Sequence, residues 1–137
     1  MTGIQAKKPL GVYVHIPFCV KKCNYCDFVS FAPCLELRDG TIAGYMKKLQ
    51  EETGAWGLLA GEKYFIDSIY YGGGTPTAVD AENYIEINRR IKSAFPVGDC
   101  IEITIEANPG TLNAHQLDCI RRAGFNRASL GVQSLDD

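Results

Sequence analysis

The sequence predicts an α/β fold with about four parallel strands and three helices, and three observations carry that reading. Short β-branched and aromatic runs alternate with stretches whose apolar residues recur every three or four positions. The resulting order is strand, loop, helix, strand, glycines, helix, strand, helix, strand, which implies parallel strands joined by right-handed crossovers. Finally, the residues able to do chemistry fall just after or at the ends of strands: three cysteines after the first, three glycines after the second, Glu106 closing the third and Gln133 following the fourth. In such sheets the carboxyl ends of the strands share one rim, where ligand groups gather.

Residues 1–9 read as a polar leader. Residues 10–16 alternate and are β-prone, and Pro17 stops the strand and turns the chain into the cysteine loop. His15, near the strand's end, is assigned a structural role ahead of a ligand role. From residue 39 the pattern turns helical through Ile42, Met46, Leu49, Thr53, Trp56 and Leu59, with Asp39 or Thr41 as N-cap and Gly61 as the stop. The tryptophan is expected in the core. Gly44, Gly54 and Gly57 weaken the helix by propensity, so packing must supply its stability.

Residues 63–71 form a second strand that runs into Gly72-Gly73-Gly74-Thr75-Pro76-Thr77. Three glycines remove every Cβ, allow positive φ and let backbone N–H and C=O groups approach a ligand. A flexible turn is the plain alternative, and a phosphate-binding loop is excluded because no lysine follows. Asp80 or Thr77 caps a second helix bearing Tyr84, Ile85, Ile91 and Phe95. Residues 100–107 give a third strand with Ile101, Ile103 and Ile105 on one face and Glu102, Thr104 and Glu106 on the other. Asn113 and Gln116 resemble a capping box for a third helix that ends at Gly124. Residues 126–130 start a fourth strand with an unpaired, apolar edge.

Hydrophobic residues make up 46% of the 137 and charged residues 22%, the balance of a globular domain rather than a disordered chain. No apolar run approaches the ~20 residues that cross a bilayer, and the start lacks the apolar core of an export signal. A cytoplasmic, reducing compartment follows. The basic doublets, such as Lys21-Lys22 and Arg89-Arg90, are scattered on a chain of net charge −2 and make no nucleic-acid track.

Cys19, Cys23 and Cys26 follow a Cys-x3-Cys-x2-Cys spacing. Three thiolates suit an iron–sulfur cluster, zinc or Cu(I), and a cubane that normally takes four would keep one iron open. Zinc held with His15 or Cys34 as a fourth ligand, and cysteines with no ligand at all, are the competing readings. Cys34, Cys100 and Cys119 are expected to serve as small apolar residues, and His115 to lie on a helix surface.

Together these residues resemble the radical S-adenosylmethionine (SAM) superfamily, through the cysteine spacing with Tyr25 before the last cysteine and through Gly72-Gly73-Gly74-Thr75-Pro76. More narrowly, the sequence is similar to the oxygen-independent coproporphyrinogen III oxidase group, through Tyr13-Val14-His15-Ile16-Pro17-Phe18-Cys19, Glu106-Ala107-Asn108-Pro109 and Arg127-Ala128-Ser129-Leu130-Gly131-Val132-Gln133-Ser134. The resemblance implies a partial radical SAM (β/α) barrel over residues 10–137, the N-terminal portion of a longer, truncated core. It implies a [4Fe–4S] cluster on Cys19, Cys23 and Cys26, and SAM contacts from Tyr13, Tyr25, Gly73, Gly74, Thr75, Glu106 and Gln133. Reductive cleavage of SAM to methionine and a 5′-deoxyadenosyl radical would follow, fed by an electron donor. Phe28, where the oxidase carries a further cysteine, and the short lead before Cys19 point to the group's heme chaperone branch. In the full-length protein that branch implies heme as ligand and heme-accepting clients as partners. Oxidative decarboxylation of coproporphyrinogen III and a non-catalytic zinc module are the alternatives, and the 137 residues are expected to be inactive as a fragment.

Overall fold

The computed structural model describes residues 7–136. Strand β1 (Lys8–Ile16) leads through the cysteine loop to helix α1 (Leu35–Ala60), and β2 (Tyr64–Gly73), α2 (Asn83–Ala94), β3 (Val97–Ala107), α3 (Ala114–Arg122) and β4 (Arg127–Leu130) follow. The four strands form one sheet in the order β1-β2-β3-β4, every neighbouring pair parallel. The α/β reading with four parallel strands and three helices therefore holds. Among the described residues no helix is long and apolar enough to cross a membrane.

One face of the sheet and the helices share a single core. Val14 and Ile16 of β1, Ile69 and Tyr71 of β2, and Ile103 and Ile105 of β3 bury against Met46, Tyr84, Ile87, Ile91 and Cys119. The other face is polar, carrying Tyr13, Tyr70, Glu102 and Glu106, as strand alternation requires. An irregularity in β2 sets this division: Leu10 pairs with Ile66 but Gly11 pairs with Ser68, so Asp67 is an extra residue. That bulge rephases the strand by one, which lets Ile66 and Ile69 both face the core and turns Tyr70 and Gly72 to the polar side.

The core's large polar groups are all paired. Tyr71, Tyr84 and Phe125 pack ring against ring at centroid distances of 4.9 to 6.0 Å. Tyr71 donates to Asn88 Oδ1 at 2.8 Å, Asn88 donates to the Ala123 carbonyl, and Tyr84 donates to the Pro76 carbonyl. Burial holds both phenols well above their ordinary pKa, so they remain donors.

Several expectations need correcting. The first strand begins at Lys8, and residues 1–6 of the expected leader lie outside the described residues. Helix α1 starts at Leu35 after Cys34, so neither Asp39 nor Thr41 caps it, although Gly61 does end it. Trp56 and Leu59 are exposed rather than buried. The face of α1 that meets α2 is set by Gly57, where even a Cβ would come within 2.5 Å of Ala94 Cβ, and Trp56 beside it lines an open apolar cavity with Leu10 and Phe95 instead of closing into the core. Cys34 and Cys100 are exposed, and of the three extra cysteines Cys119 is the buried one. Asn113 caps α3 by accepting from the Gln116 N–H, but Gln116 does not reciprocate. Its buried amide instead accepts from Ala81 N–H and donates to the Thr77 and Val79 carbonyls, fastening α3 to the loop before α2.

Replacing Gln116 with Ala orphans one buried donor and two buried acceptors, so urea unfolding is expected to show a loss of about 3 kcal/mol. On α2, Arg89 and Arg90 both hold Glu86, pulling its carboxyl down from 4.5 to about 2. Because the folded value is the lower, this small exposed contribution is present above the unfolded pKa and fades as pH falls toward 2. A carboxyl NMR titration of Glu86 with a midpoint near 2 would bear that out.

Candidate functional site

Parallel pairing of β1 and β2 does not stop where the strands end. Gly74 N–H donates to the Ile16 carbonyl and Thr75 N–H to the Phe18 carbonyl, both at 2.8 Å. On the far side of Phe18, Cys19 N–H donates to the Phe31 carbonyl at 3.0 Å and Phe31 N–H to the Pro17 carbonyl at 2.8 Å. These bonds close the base of the loop that carries all three motif cysteines and lock it to the glycine stretch. Lys22 braces its interior by donating to the Phe28 carbonyl and to Ser30 Oγ.

His15 ties the same loop from below. Its Nε2 lies 2.8 Å from the Val29 carbonyl, which can only accept, so Nε2 carries a proton, and Nδ1 pairs with the Tyr13 hydroxyl at 3.0 Å. Both nitrogens are engaged, in keeping with the structural role expected of this residue. A zinc set that recruits His15 would have to break these bonds.

The three thiols are free. Cys19 is 8% exposed, and Thr75 Oγ1 approaches its sulfur at 3.8 Å; Cys26 is half-buried and Cys23 exposed. Cys26 N–H donates to the Cys23 carbonyl, which folds the last two into one turn. Tyr25, in that turn, is exposed, and the Cys23 side chain beside it raises its phenol above the usual range. Three sulfurs carried on one closed loop suit a cluster that keeps a coordination position open.

Each glycine of the triple run meets a different neighbour. A Cβ on Gly72 would sit 3.0 Å from Glu106 Oε2, one on Gly73 2.6 Å from the His15 ring, and one on Gly74 2.7 Å from the Phe18 carbonyl. Gly73 also has φ +113°, a conformation that L side chains avoid. The run is thus a set of close contacts rather than a flexible turn, and the N–H groups of Gly74 and Thr75 serve the Ile16 and Phe18 carbonyls.

Two cavities flank Glu106. One, of about 220 Å³, is lined by Gly74, Thr75, Glu106, Ser129 and Gln133; the other, of about 310 Å³, by Tyr13, His15, Asp27, Phe28, Gly73 and Glu106. Between them they gather every residue for which a SAM contact is expected except Tyr25. Glu106 Oε1 accepts from Tyr70 at 2.7 Å, and Tyr70 stacks on Tyr13 with centroids 6.3 Å apart. The hydrogen bond to Glu106 is the main cause that raises the Tyr70 pKa, while partial burial leads for Tyr13. Gln133 has φ 67°, the left-handed region that costs a non-glycine residue strain and recurs at ligand sites. A larger apolar cavity of about 480 Å³ lies between β1 and α1, against Leu10, Leu49 and Trp56. It holds no thiol and is not where the chemistry gathers.

Sequence reasoning missed Tyr70, Ser129 and Asp27, and it read Phe28 as a branch marker without placing it at the cavity. Ser129 pairs in register with Glu106, so strand alternation carried across the β3–β4 pair would have found it. Asp27 and Phe28 reach the site through the fold of a loop that has no period to read.

The family model described as the radical SAM superfamily matches residues 13–137. An oxygen-independent coproporphyrinogen III oxidase of Bradyrhizobium diazoefficiens is 35% identical over 136 residues, covering 99% of this chain and 30% of the relative. The heme chaperone HemW of Haemophilus influenzae is 38% identical over 130 residues, with 94% and 34% covered, and that of Escherichia coli is 36% identical, with 94% and 33% covered. Among solved structures, the radical SAM enzyme coproporphyrinogen III oxidase (HemN) of Escherichia coli superposes with a TM-score of 0.81 at 30% identity, over 96% of this chain and 29% of the other. The chain spans about a third of the length of the curated relatives it matches.

Replacing Gly73 with Ala forces a Cβ into the His15 ring and a strained φ. Stability is expected to fall by about 2–4 kcal/mol. Because His15 would release Val29, the buried Cys19 thiol should also react with iodoacetamide faster than in the parent chain. Unchanged alkylation would mean that the glycine does not hold the loop.

Proposed function

The chain belongs to the radical SAM superfamily, and on that premise we propose that it is the cluster- and SAM-holding part of a protein of heme or porphyrin metabolism, of the heme chaperone kind. Residues 10–137 are read as the N-terminal portion of its core. The observation that carries this reading is the closed loop of Cys19, Cys23 and Cys26 fastened beside the two cavities that meet at Glu106.

In this reading the three thiolates hold the cluster, and Thr75 Oγ1 steadies the Cys19 sulfur. When bound, the cluster supplies the electron for reductive cleavage of the SAM sulfonium. The protein's share is positional. Glu106 is an acceptor for hydroxyl or ammonium groups of SAM, held in place by Tyr70, and Gln133 offers its amide from the opposite wall. Gly73 and Gly74 bring backbone close to the cofactor without side chains in the way. Tyr25 adds a phenol within the cysteine loop, and Tyr13 adds another on β1 beside it. An electron donor and, in the longer protein, heme and heme-accepting clients are the partners this function requires.

Phe28 favours the chaperone branch, since the oxidase to which this group is similar has a cysteine there. The oxidase reading draws on the similarity to the Bradyrhizobium oxidase along almost the whole chain. Heme titration against coproporphyrinogen decarboxylation, run on the full-length parent, separates the two.

Anaerobic reconstitution is expected to load about four iron and about four sulfide per chain. Loading should vanish on replacing Cys19, Cys23 or Cys26 with Ser, and the EPR signal of the reduced cluster should shift when SAM is added. Zinc held by these three cysteines without sulfide would overturn the proposal.

A further inference from the structure

Between the loop that leads into α2 and the first turns of α3, Asp80, His115 and Cys119 bring a carboxylate oxygen, an imidazole nitrogen and a sulfur within 4.8 Å of one another. His115 and Cys119 are four residues apart on α3 and so stack on one face of it. Asp80 arrives from 35 residues upstream and is fixed by accepting the Glu82 N–H at 3.0 Å. The Gln116 amide, bonded to Ala81 N–H and to the Thr77 and Val79 carbonyls, holds the two segments in this register. The cluster is thus built by buried bonds and does not depend on the contact between His115 and Asp80.

His115 Nε2 stands 3.1 Å from Asp80 Oδ2 and 3.6 Å from Cys119 Sγ. Around a tetrahedral zinc, with bonds of about 2.0–2.2 Å to nitrogen and oxygen and about 2.3 Å to sulfur, the corresponding edges are ~3.4 and ~3.6 Å. These two spacings are therefore close to those of ligands sharing one ion, and the third, from carboxylate to sulfur, lies within 4.8 Å. A simple ion pair accounts for the first distance and the four-residue helix spacing brings the imidazole over the sulfur, so that all three groups face one point. Arg122 Nη2 donates to the same sulfur at 3.1 Å and is itself braced by Asp118, in the manner of the outer bonds that orient metal thiolates.

We propose that Asp80, His115 and Cys119 form a second metal site, separate from the cysteine loop, for a divalent ion of the zinc class. Cys119 is fully buried and forms the floor, while the His115 and Asp80 side chains are 57% and 51% exposed and form the mouth through which the ion enters. Three protein ligands leave a fourth position for water or an outside ligand. A thiolate, an imidazole and one carboxylate select zinc-like ions over magnesium or calcium, which prefer oxygen throughout. The site shares no residue with the proposed cluster and stands or falls independently of it.

The test is a Co²⁺ titration of the reduced 137-residue chain carrying Cys19→Ser, Cys23→Ser and Cys26→Ser. One ion per chain is expected, with a thiolate-to-cobalt charge-transfer band that Zn²⁺ bleaches. Cys119→Ala should remove the band, and His115→Ala should weaken binding by more than about tenfold, since even outer partners of a metal contribute about 10–100-fold. His115 is exposed, so its replacement leaves the core intact even where Cys119→Ala disturbs it; circular dichroism checks each fold. If the triple variant does not fold, zinc analysis of the parent chain against His115→Ala should show the loss of one equivalent. A flat titration, binding without the band, a band that survives Cys119→Ala, or a His115→Ala variant that binds as its parent does would each overturn the proposal.

Discussion

Everything at the rim depends on the backbone ladder between β1 and β2 running past the ends of both strands. Ile16 and Phe18 accept from Gly74 and Thr75, and the chain that emerges on the other side of Phe18 is the cysteine loop. The ladder can run that far because no side chain stands in the way on β2. A Cβ at 72, 73 or 74 would strike Glu106, His15 or the Phe18 carbonyl in turn. The triple glycine and the cysteine spacing, which look like separate motifs in the sequence, are two halves of one joint.

That joint also explains why Glu106 is central. Parallel register places it beside Gly72 on the polar face, where Tyr70 fixes one of its oxygens and a cavity opens on each side. Its carboxylate is thereby held rigidly at the middle of the rim, between the loop that carries the thiols and the strained turn at Gln133. Preorganised acceptors of this kind lose little freedom when a ligand arrives, which is the general advantage of building a site on strand ends rather than on mobile loops.

The architecture was legible because strands and helices announce themselves by period. Ile101, Ile103 and Ile105 fell on the buried face as their alternation required, and Gly61 and Gly124 ended helices as expected. What escaped was whatever depends on a partner distant in sequence. Trp56 sits on an apolar stripe and yet is exposed, because the cavity it lines between β1 and α1 stays open. Gln116 looked like half of a capping box, but its amide has three better partners on the preceding loop. The bulge at Asp67 shifts β2 by one residue, and no local composition signals it. At the site, the cysteines, the glycines, Glu106 and Gln133 were readable from spacing and strand ends. Tyr70 and Ser129 required knowledge of the register.

The joint between the cysteine loop and the glycine strand has a temporal side. Its two halves are far apart in the chain, and the roughly 50 residues from Cys26 to Thr75 take about 3–10 s to synthesise at ~5–20 residues per second. For that interval a nascent chain lacks the segment that fastens the cysteine loop and, through Thr75, covers the Cys19 sulfur. The Cys19 thiol is therefore open to oxidants until β2 has emerged, whereas Cys23 stays exposed in the finished fold as well.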